Sequence, residues 1–110
     1  MQKVSAALVA FSFMFFSQSA LSVDVFGAYG SCGAWMDRTD NKIQRLQRES
    51  WVDGFLSGMA AGTFKEFWSK PGNKLDDKSV YLWIDNYCRA NPLKNVAQAA
   101  EMLFLEHTRK

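Results

Sequence analysis

Cysteine, histidine and proline are scarce in this chain of 110 residues, which contains two cysteines, one histidine and two prolines. A structural zinc site usually takes four ligands, and the Cys and His side chains are too few to supply them. The two cysteines lie far apart in the sequence, so they do not form the Cys-x-x-Cys motif typical of a redox centre. No glycine-rich phosphate loop follows a strand pattern. We therefore expect no metal site, no redox centre and no cofactor.

A large excess of charge of either sign is absent as well. The whole chain has 13 Lys and Arg against 11 Asp and Glu, which gives a formal net charge of +2. Removal of an N-terminal segment that contains Lys3 as its one charged residue lowers this charge to about +1. A balance this close gives no reason to expect nucleic acid or an anionic membrane surface as a partner.

The first residues are typical of a secretory signal peptide. Lys3 supplies a basic start, residues 4–16 form an apolar run, and residues 17–22 offer small side chains for cleavage. The apolar run is short for a membrane span, and no stop-transfer pattern follows it. We predict that residues 1–22 are a signal peptide and that residues 23–110 form a single helical domain in the periplasm, without a stable membrane anchor.

The two cysteines are expected to form a disulfide bond. Cys32 and Cys88 are the only possible pair in the chain, and an exported protein meets an oxidising environment. Closing a loop of about 56 residues would stabilise the fold by about 4 kcal/mol in the chain-entropy account. A mature chain of about 88 residues has a small core, so a crosslink of this kind would reinforce it.

Apolar spacing predicts an all-α fold, a small bundle of about four helices. The longest predicted helix starts at a capping box formed by Ser50 and Asp53 and ends at residues 71–73. Asp76 or Asp77 caps the next helix. The apolar positions of these two helices are Trp51, Val52, Phe55, Leu56, Met59, Ala60, Phe64, Phe67 and Trp68 in the first, and Val80, Trp83, Ile84, Tyr87 and Cys88 in the second.

The remaining helices are predicted from caps and a turn. Asn91 as N-cap and Pro92 at the first helical position begin the last helix. A shorter helix is expected at residues 32–37, before a turn at residues 38–41. Residues 43–46 either form a further turn or extend the long helix backward. The apolar positions of the last helix are Leu93, Val96, Ala97, Ala100, Leu103 and Phe104.

Three glycines recur one helical turn apart at Gly54, Gly58 and Gly62. The same spacing lets helices dimerise in lipid, but Asp53 and Lys65 bracket only about eleven residues, too few for a span. Each glycine in a helix interior costs up to about 1 kcal/mol relative to alanine, so packing should offset them. We predict that another helix packs closely on this row, within the chain or across a dimer.

Candidate catalytic side chains are few, and each has a simpler interpretation. His107 has no nucleophile near it in sequence and is expected to be a solvated terminal side chain. Asp76 and Asp77 are adjacent, so they do not share a helix face, and capping explains them better. Asp85 and Arg89 have the spacing of an exposed ion pair on a helix. We predict that the protein is not an enzyme.

Three segments of the mature chain carry a family pattern: residues 31–35 (SCGAW), residues 51–58 (WVDGFLSG) and residues 81–106 (YLWIDNYCRANPLKNVAQAAEMLFLE). In order and content they resemble the Rap/Tai family of small periplasmic immunity proteins. This resemblance implies a mostly helical, disulfide-containing protein that is commonly a homodimer. It further implies protection against a peptidoglycan amidase toxin delivered by type VI secretion, by binding the toxin and blocking its cleft.

Two other function classes stay open. An acid-stress periplasmic chaperone of the HdeA kind is also a small exported helical protein with one disulfide, and it works by exposing apolar surface at low pH. An accessory subunit of an envelope assembly is the other class. A toxin gene beside this one would favour immunity, whereas an acid-resistance neighbourhood would favour the chaperone.

The predicted partner-binding residues lie in the loop at residues 69–74. Motif residues are occupied by packing, crosslinking and capping, whereas polar connections are free to recognise a partner. Pro71 limits the entropy lost when this loop becomes ordered. Lys70, Asn73 and Lys74 can then present hydrogen-bond donors to an acidic or carbonyl-lined cleft.

Overall fold

The computed structural model describes residues 25–27 and 30–109, so the predicted signal peptide lies outside the described residues. The all-α prediction is confirmed: four α-helices, a short 3-10 helix and a very short hairpin follow one another. None of the described helices is long and apolar enough to cross a membrane. The elements are α1 (Cys32–Met36), the 3-10 helix (Asp37–Asp40), α2 (Lys42–Thr63), β1 (Ser69–Lys70), β2 (Asn73–Lys74), α3 (Asp77–Ala90) and α4 (Val96–Thr108).

The predicted disulfide is confirmed and fastens α1 to α3. Cys32 and Cys88 are bonded, and both side chains are buried. The Cys32 N–H donates to the Lys94 carbonyl at 2.9 Å, and Ser31 pairs with Asn95 in an isolated β-bridge. The start of the described domain is therefore held both by the crosslink and by the loop that precedes α4.

Helix α2 begins earlier than the predicted capping box. Its N-cap is Asn41, whose side-chain oxygen accepts from the backbone N–H of Ile43 at 2.9 Å and of Gln44 at 3.2 Å. The prediction that Ser50 and Asp53 start a helix is wrong, because both lie inside α2 and Asn41 already supplies the cap. The alternative that residues 43–46 extend the long helix backward is confirmed.

The same helix also ends earlier than predicted. It stops at Thr63, and Phe64 takes a left-handed conformation with φ 57° and ψ 30°. Phe67 and Trp68 therefore do not continue the helix, and residues 71–73 belong to a hairpin rather than to a helix end. The hairpin turns at Gly72, whose φ of 79° is easily adopted by glycine.

The start of α3 is predicted correctly and the start of α4 is not. Asp76 caps α3 and accepts from the Ser79 N–H at 2.9 Å. Asn91 is the C-cap of α3 rather than an N-cap, and Pro92 lies in the turn that follows. Helix α4 starts after Asn95, where a full capping box supplies the N-terminal acceptors that Asn91 was expected to provide.

The core lies between the four helices. Half of the predicted apolar positions are buried and most of the others are partly buried, but Phe64 is 94% exposed and Leu93 is 98% exposed, so these two predictions are wrong. Both residues lie just outside a helix, where the side chain no longer follows the buried face. Burying one large apolar side chain stabilises the folded state by about 1.5 to 3 kcal/mol, so the fully buried side chains contribute much of the free energy of folding. The largest fully buried side chains are Trp35, Phe104, Ile84, Val52, Val96, Cys32 and Cys88.

The glycine row of α2 faces open space. A Cβ atom added at Gly54, Gly58 or Gly62 would meet no described heavy atom within 4 Å. Helix α2 buries Val52 and Leu56, so the glycines lie elsewhere on its surface. The predicted close packing within the chain is therefore wrong for the described residues. Packing across a dimer stays a prediction.

Replacing Gly58 by leucine tests this surface. In a monomer we expect Gly58→Leu to raise the free energy of unfolding by up to about 1 kcal/mol, because leucine is the better helix former and meets open space. Thermal melts at several protein concentrations measure the effect, with Ala61→Leu on the same helix as the control. A loss of stability in Gly58→Leu that depends on protein concentration would instead place the row in a dimer interface.

Candidate partner-binding site

The predicted binding loop forms an ordered hairpin. Ser69 pairs with Lys74 and Lys70 pairs with Asn73, and the Leu75 N–H donates to the Trp68 carbonyl at 3.0 Å just below the strands. The side chains of Lys70 and Lys74 are exposed. Two of the three predicted site residues are thus exposed cations, one on each strand of this small hairpin. The backbone of Asn73, the third, lies in β2 beside them.

The hairpin is anchored in the core by the residue that precedes Trp68. Phe67 is 3% exposed and packs edge-on against Phe104, with ring centroids 6.3 Å apart. The Phe67 ring also contacts Trp68 edge-on at 5.2 Å. A buried aromatic next to the first strand therefore limits how far the hairpin can move relative to α4.

Glu66 stabilises the turn that connects α2 to the hairpin. Its carboxylate accepts from the backbone N–H of Trp68 at 2.9 Å and of Ser69 at 3.0 Å, and also from the Ser69 hydroxyl. The bonds from Ser69 hold the pKa of the Glu66 carboxyl below its ordinary value. Because that pKa is lowered in the folded state, this contribution to stability is present at neutral pH and is lost as the pH falls through the folded value.

A positively charged groove of about 620 Å³ runs beside the hairpin, between the ends of α2 and α4. Lys65, Lys70 and Arg109 contribute cations to its lining, and Phe64 contributes an exposed ring. Among the described residues of the lining, Glu66 is the one carboxylate, and it is engaged by the hairpin backbone. The groove and the hairpin share Lys70, so they form one continuous surface.

A smaller cleft of about 210 Å³ lies beside Trp68, and its charge is negative. Three carboxylates line it together with apolar side chains from α2 and α3. Asp53 accepts a hydrogen bond from the Tyr81 hydroxyl at 2.6 Å. The pKa of Tyr81 is raised, mainly because the hydroxyl is buried and secondly because of this hydrogen bond. Hydrogen bonds from Ser79 lower the pKa of Asp76. These two carboxylates therefore already serve the fold, Asp76 as a cap and Asp53 as the partner of Tyr81.

An ion network around the buried Arg38 stabilises the helical scaffold. Arg38 is 6% exposed, and its guanidinium lies 3.9 Å from the ring centroid of Trp35. It donates to Asp85 at 2.8 Å, to Glu49 at 3.2 Å and to the Trp35 carbonyl at 3.1 Å. The Trp35 indole N–H also donates to Asp85, at 2.7 Å. The network joins the 3-10 helix, α1, α2 and α3.

This network overturns the predicted ion pair between Asp85 and Arg89. Asp85 turns inward to Arg38, whereas Arg89 donates to Asn86 at 2.9 Å. The i, i+4 spacing permits the predicted pair. Leaving the buried Arg38 guanidinium without this carboxylate would cost more free energy than leaving the exposed Arg89 without it, so Asp85 pairs with Arg38. Sequence inspection missed Arg38 because nothing in the predicted turn at residues 38–41 marks it as buried.

His107 is exposed, as predicted, yet its ring is not free in solvent. Its Nδ1 lies 2.9 Å from the Leu103 carbonyl, and the ring lies 5.3 Å from Phe67 and 6.3 Å from Trp83 between centroids. In the part of the chain that the structure describes, no three His, Cys, Asp or Glu side chains are grouped so that they could hold a metal ion. The position of His107 is explained by packing at the end of α4.

Several of the residues that carry the family resemblance belong to the core or pack against it. Trp35 and the two cysteines are buried, and Trp83 stacks on Tyr87 with centroids 5.6 Å apart. Such positions report on the fold and leave the partner open. Comparison of the chain with protein-family models, curated proteins and solved structures found no match in any of the three.

Proposed function

We propose that this protein is a periplasmic immunity-type protein that inhibits a peptidoglycan amidase toxin by occupying its cleft. The observation that supports this function best is the exposed, ordered hairpin with Lys70 and Lys74, set on a crosslinked helical scaffold. Its mode of action is stoichiometric binding, without chemical conversion of the partner.

The hairpin suits such binding because it is already ordered. A disordered loop loses conformational entropy when it binds, and each immobilised long side chain adds to that loss. Here the strands are paired, Glu66 fixes the approach to them, and Phe67 anchors them in the core. Little further ordering of the backbone is needed for this element to enter a cleft.

The charges of the hairpin indicate what kind of cleft it fits. Lys70 and Lys74 lie on opposite strands and present two ammonium groups within one short element. A cleft lined by carboxylates or backbone carbonyls complements them, and such complementarity mainly increases the association rate and the specificity. An amidase whose cleft entrance is acidic is therefore the partner chemistry that the hairpin favours.

Affinity capture identifies the partner. The wild-type protein is used as bait in periplasmic extracts prepared with and without neighbouring cells that deliver type VI toxins. We expect one amidase, recovered in equal molar amount, only when such neighbours are present. Recovery of many unrelated proteins at low pH alone would contradict the proposal and favour a chaperone, and recovery of a fixed envelope complex would favour an accessory subunit.

Charge reversal on the hairpin tests the contact surface. We expect the Lys70→Glu, Asn73→Ala, Lys74→Glu variant to keep its melting temperature and to lose at least about tenfold in affinity, because both ammonium groups now repel an acidic cleft. Isothermal titration against the captured amidase measures this loss.

The matched control reverses Lys42 and Arg45 instead. Both residues are exposed in the first turn of α2. Replacing both by glutamate changes the net charge by the same amount as in the hairpin variant, because each variant converts two cations into two carboxylates. A helix of 22 residues is about 33 Å long, which places this control far from the hairpin end of α2. Equal loss in both variants, or undiminished affinity in the hairpin variant, would exclude the hairpin as the contact site.

A further inference from the structure

Phe64 combines two features that are unusual for an aromatic residue. Among the described non-glycine residues it alone has a positive φ, and its side chain is 94% exposed. Its N–H donates to the Ala60 carbonyl at 2.9 Å, so it occupies the position that ends α2. Glycine, or sometimes asparagine, is the usual residue at a left-handed helix end, since a side chain is strained there.

The fold gains little from an aromatic side chain at this point. A ring that is almost fully exposed removes little apolar surface from water, so burial does not offset the backbone strain. Glycine would end the helix with the same hydrogen bond and without that strain. Strained residues of this kind persist where the side chain has a use beyond the fold.

The surroundings of Phe64 are cationic. Lys65, Lys70 and Arg109 line the same groove, while the carboxylate of Glu66 is held by backbone N–H groups. Lys70 also belongs to the hairpin. The ring is therefore an apolar centre on a positively charged surface, continuous with the site of the proposed function.

We propose that Phe64 is the apolar anchor of a protein-binding surface, and that it docks on an acidic partner segment which offers an apolar contact to the ring. The location beside the hairpin rests on the proposed function, but the chemistry of the partner follows from this groove alone. Buried aromatic residues carry much of the energy at protein interfaces, and charged residues at the rim supply specificity.

Two other occupants fit the groove less well. A small anion would use the cations but has no use for an exposed ring. A second copy that met this surface face to face would place lysines against lysines, because a two-fold interface pairs the same patch on both subunits. Charge complementarity therefore favours an acidic segment of a different protein.

The test uses a short synthetic peptide of alternating leucine and glutamate as the probe, and follows backbone amide shifts of the isotopically labelled protein by NMR. We expect saturable shifts at Phe64, Lys65, Lys70 and Arg109 in the wild type, and none with the leucine–lysine counterpart.

Phe64→Gly should weaken peptide binding at least tenfold and raise the melting temperature by about 4 °C, because it removes the strain together with the ring. Phe64→Ala, which keeps the strain, should weaken binding without that rise.

Three results would overturn the inference: the wild type does not bind the peptide, Phe64→Gly binds it as tightly as the wild type, or the amide shifts are confined to other residues. Equal shifts with free glutamate would assign an anion site, and shifts that grow with protein concentration alone would assign a second copy. The proposed function is tested separately. If the peptide binds but no amidase does, the inference about Phe64 stands and the proposed function fails. If Phe64→Gly inhibits an amidase as strongly as the wild type, the inference about Phe64 fails and the proposed function stands.

Discussion

Replacing Asp85 by alanine is expected to lower the free energy of unfolding by about 3 kcal/mol. The change removes the carboxylate that accepts from Arg38 at 2.8 Å and from the Trp35 indole at 2.7 Å. Among the described residues, Glu49 is then the one carboxylate partner left to Arg38, which stays buried. A buried charge that loses part of its compensation is among the largest single-site effects in a small domain. Urea denaturation followed by tryptophan fluorescence measures the loss.

Two further variants make this expectation specific. Arg89→Ala should change stability by less than about 0.5 kcal/mol, since Arg89 is exposed and does not contact Asp85. Arg38→Met combined with Asp85→Ala should be less destabilised than Asp85→Ala alone, because no guanidinium is left unpaired. A larger loss in Arg89→Ala than in Asp85→Ala would restore the ion pair that the i, i+4 spacing predicted.

Removal of the disulfide is expected to have an effect of similar size. Cys32 and Cys88 are separated by 56 residues, and closing a loop of this length is worth about 4 kcal/mol in the chain-entropy account. The double variant Cys32→Ala, Cys88→Ala should therefore lose about that much stability. Small domains have only about 5 to 15 kcal/mol in total, so the variant should unfold at much lower urea concentrations.

Intact mass after alkylation checks the bond itself. We expect no alkylated thiol in the unreduced protein and two after reduction, and the reduced wild type should melt near the temperature of the double variant. Two thiols that react freely before reduction would contradict the crosslink. A double variant as stable as the wild type would mean that the helices hold this connection without it.

Local features of the fold could be predicted where the signal and its effect are close in sequence. Asp76 caps α3 three residues before the N–H that it accepts from, and the apolar face of α3 repeats at helical spacing. The disulfide was predictable for a different reason, since only one pairing exists. These predictions needed no knowledge of distant contacts.

Helix ends were harder, because several residues offered competing signals. Ser50 and Asp53 have the spacing of a capping box, yet Asn41 caps the helix nine residues earlier in the chain and α2 continues through both. Asn91 followed by Pro92 resembles a helix start, but Asn95 provides a complete capping box a few residues later. Capping types favour an end without deciding which of two neighbouring candidates is used.

The charged network and the proposed binding surface depend on contacts that no local pattern contains. Arg38 and Asp85 are 47 residues apart in sequence, so their pairing follows from the tertiary packing of α3 beside α1. The hairpin strands have two residues each, too few to show alternation. Phe64 continues the helical apolar rhythm, so its left-handed conformation and its exposure could not be read from that rhythm.

Titration of a purified peptidoglycan amidase toxin with this protein tests inhibition by stoichiometric binding most directly. Release of peptidoglycan fragments is measured at increasing molar ratios of protein to toxin, with the hairpin charge-reversal variant in parallel. We expect activity to fall linearly to zero near one protein per toxin, and to persist when the variant is added at the same ratio. Full amidase activity in the presence of excess wild-type protein, or loss of the toxin at ratios far below one, would contradict the account.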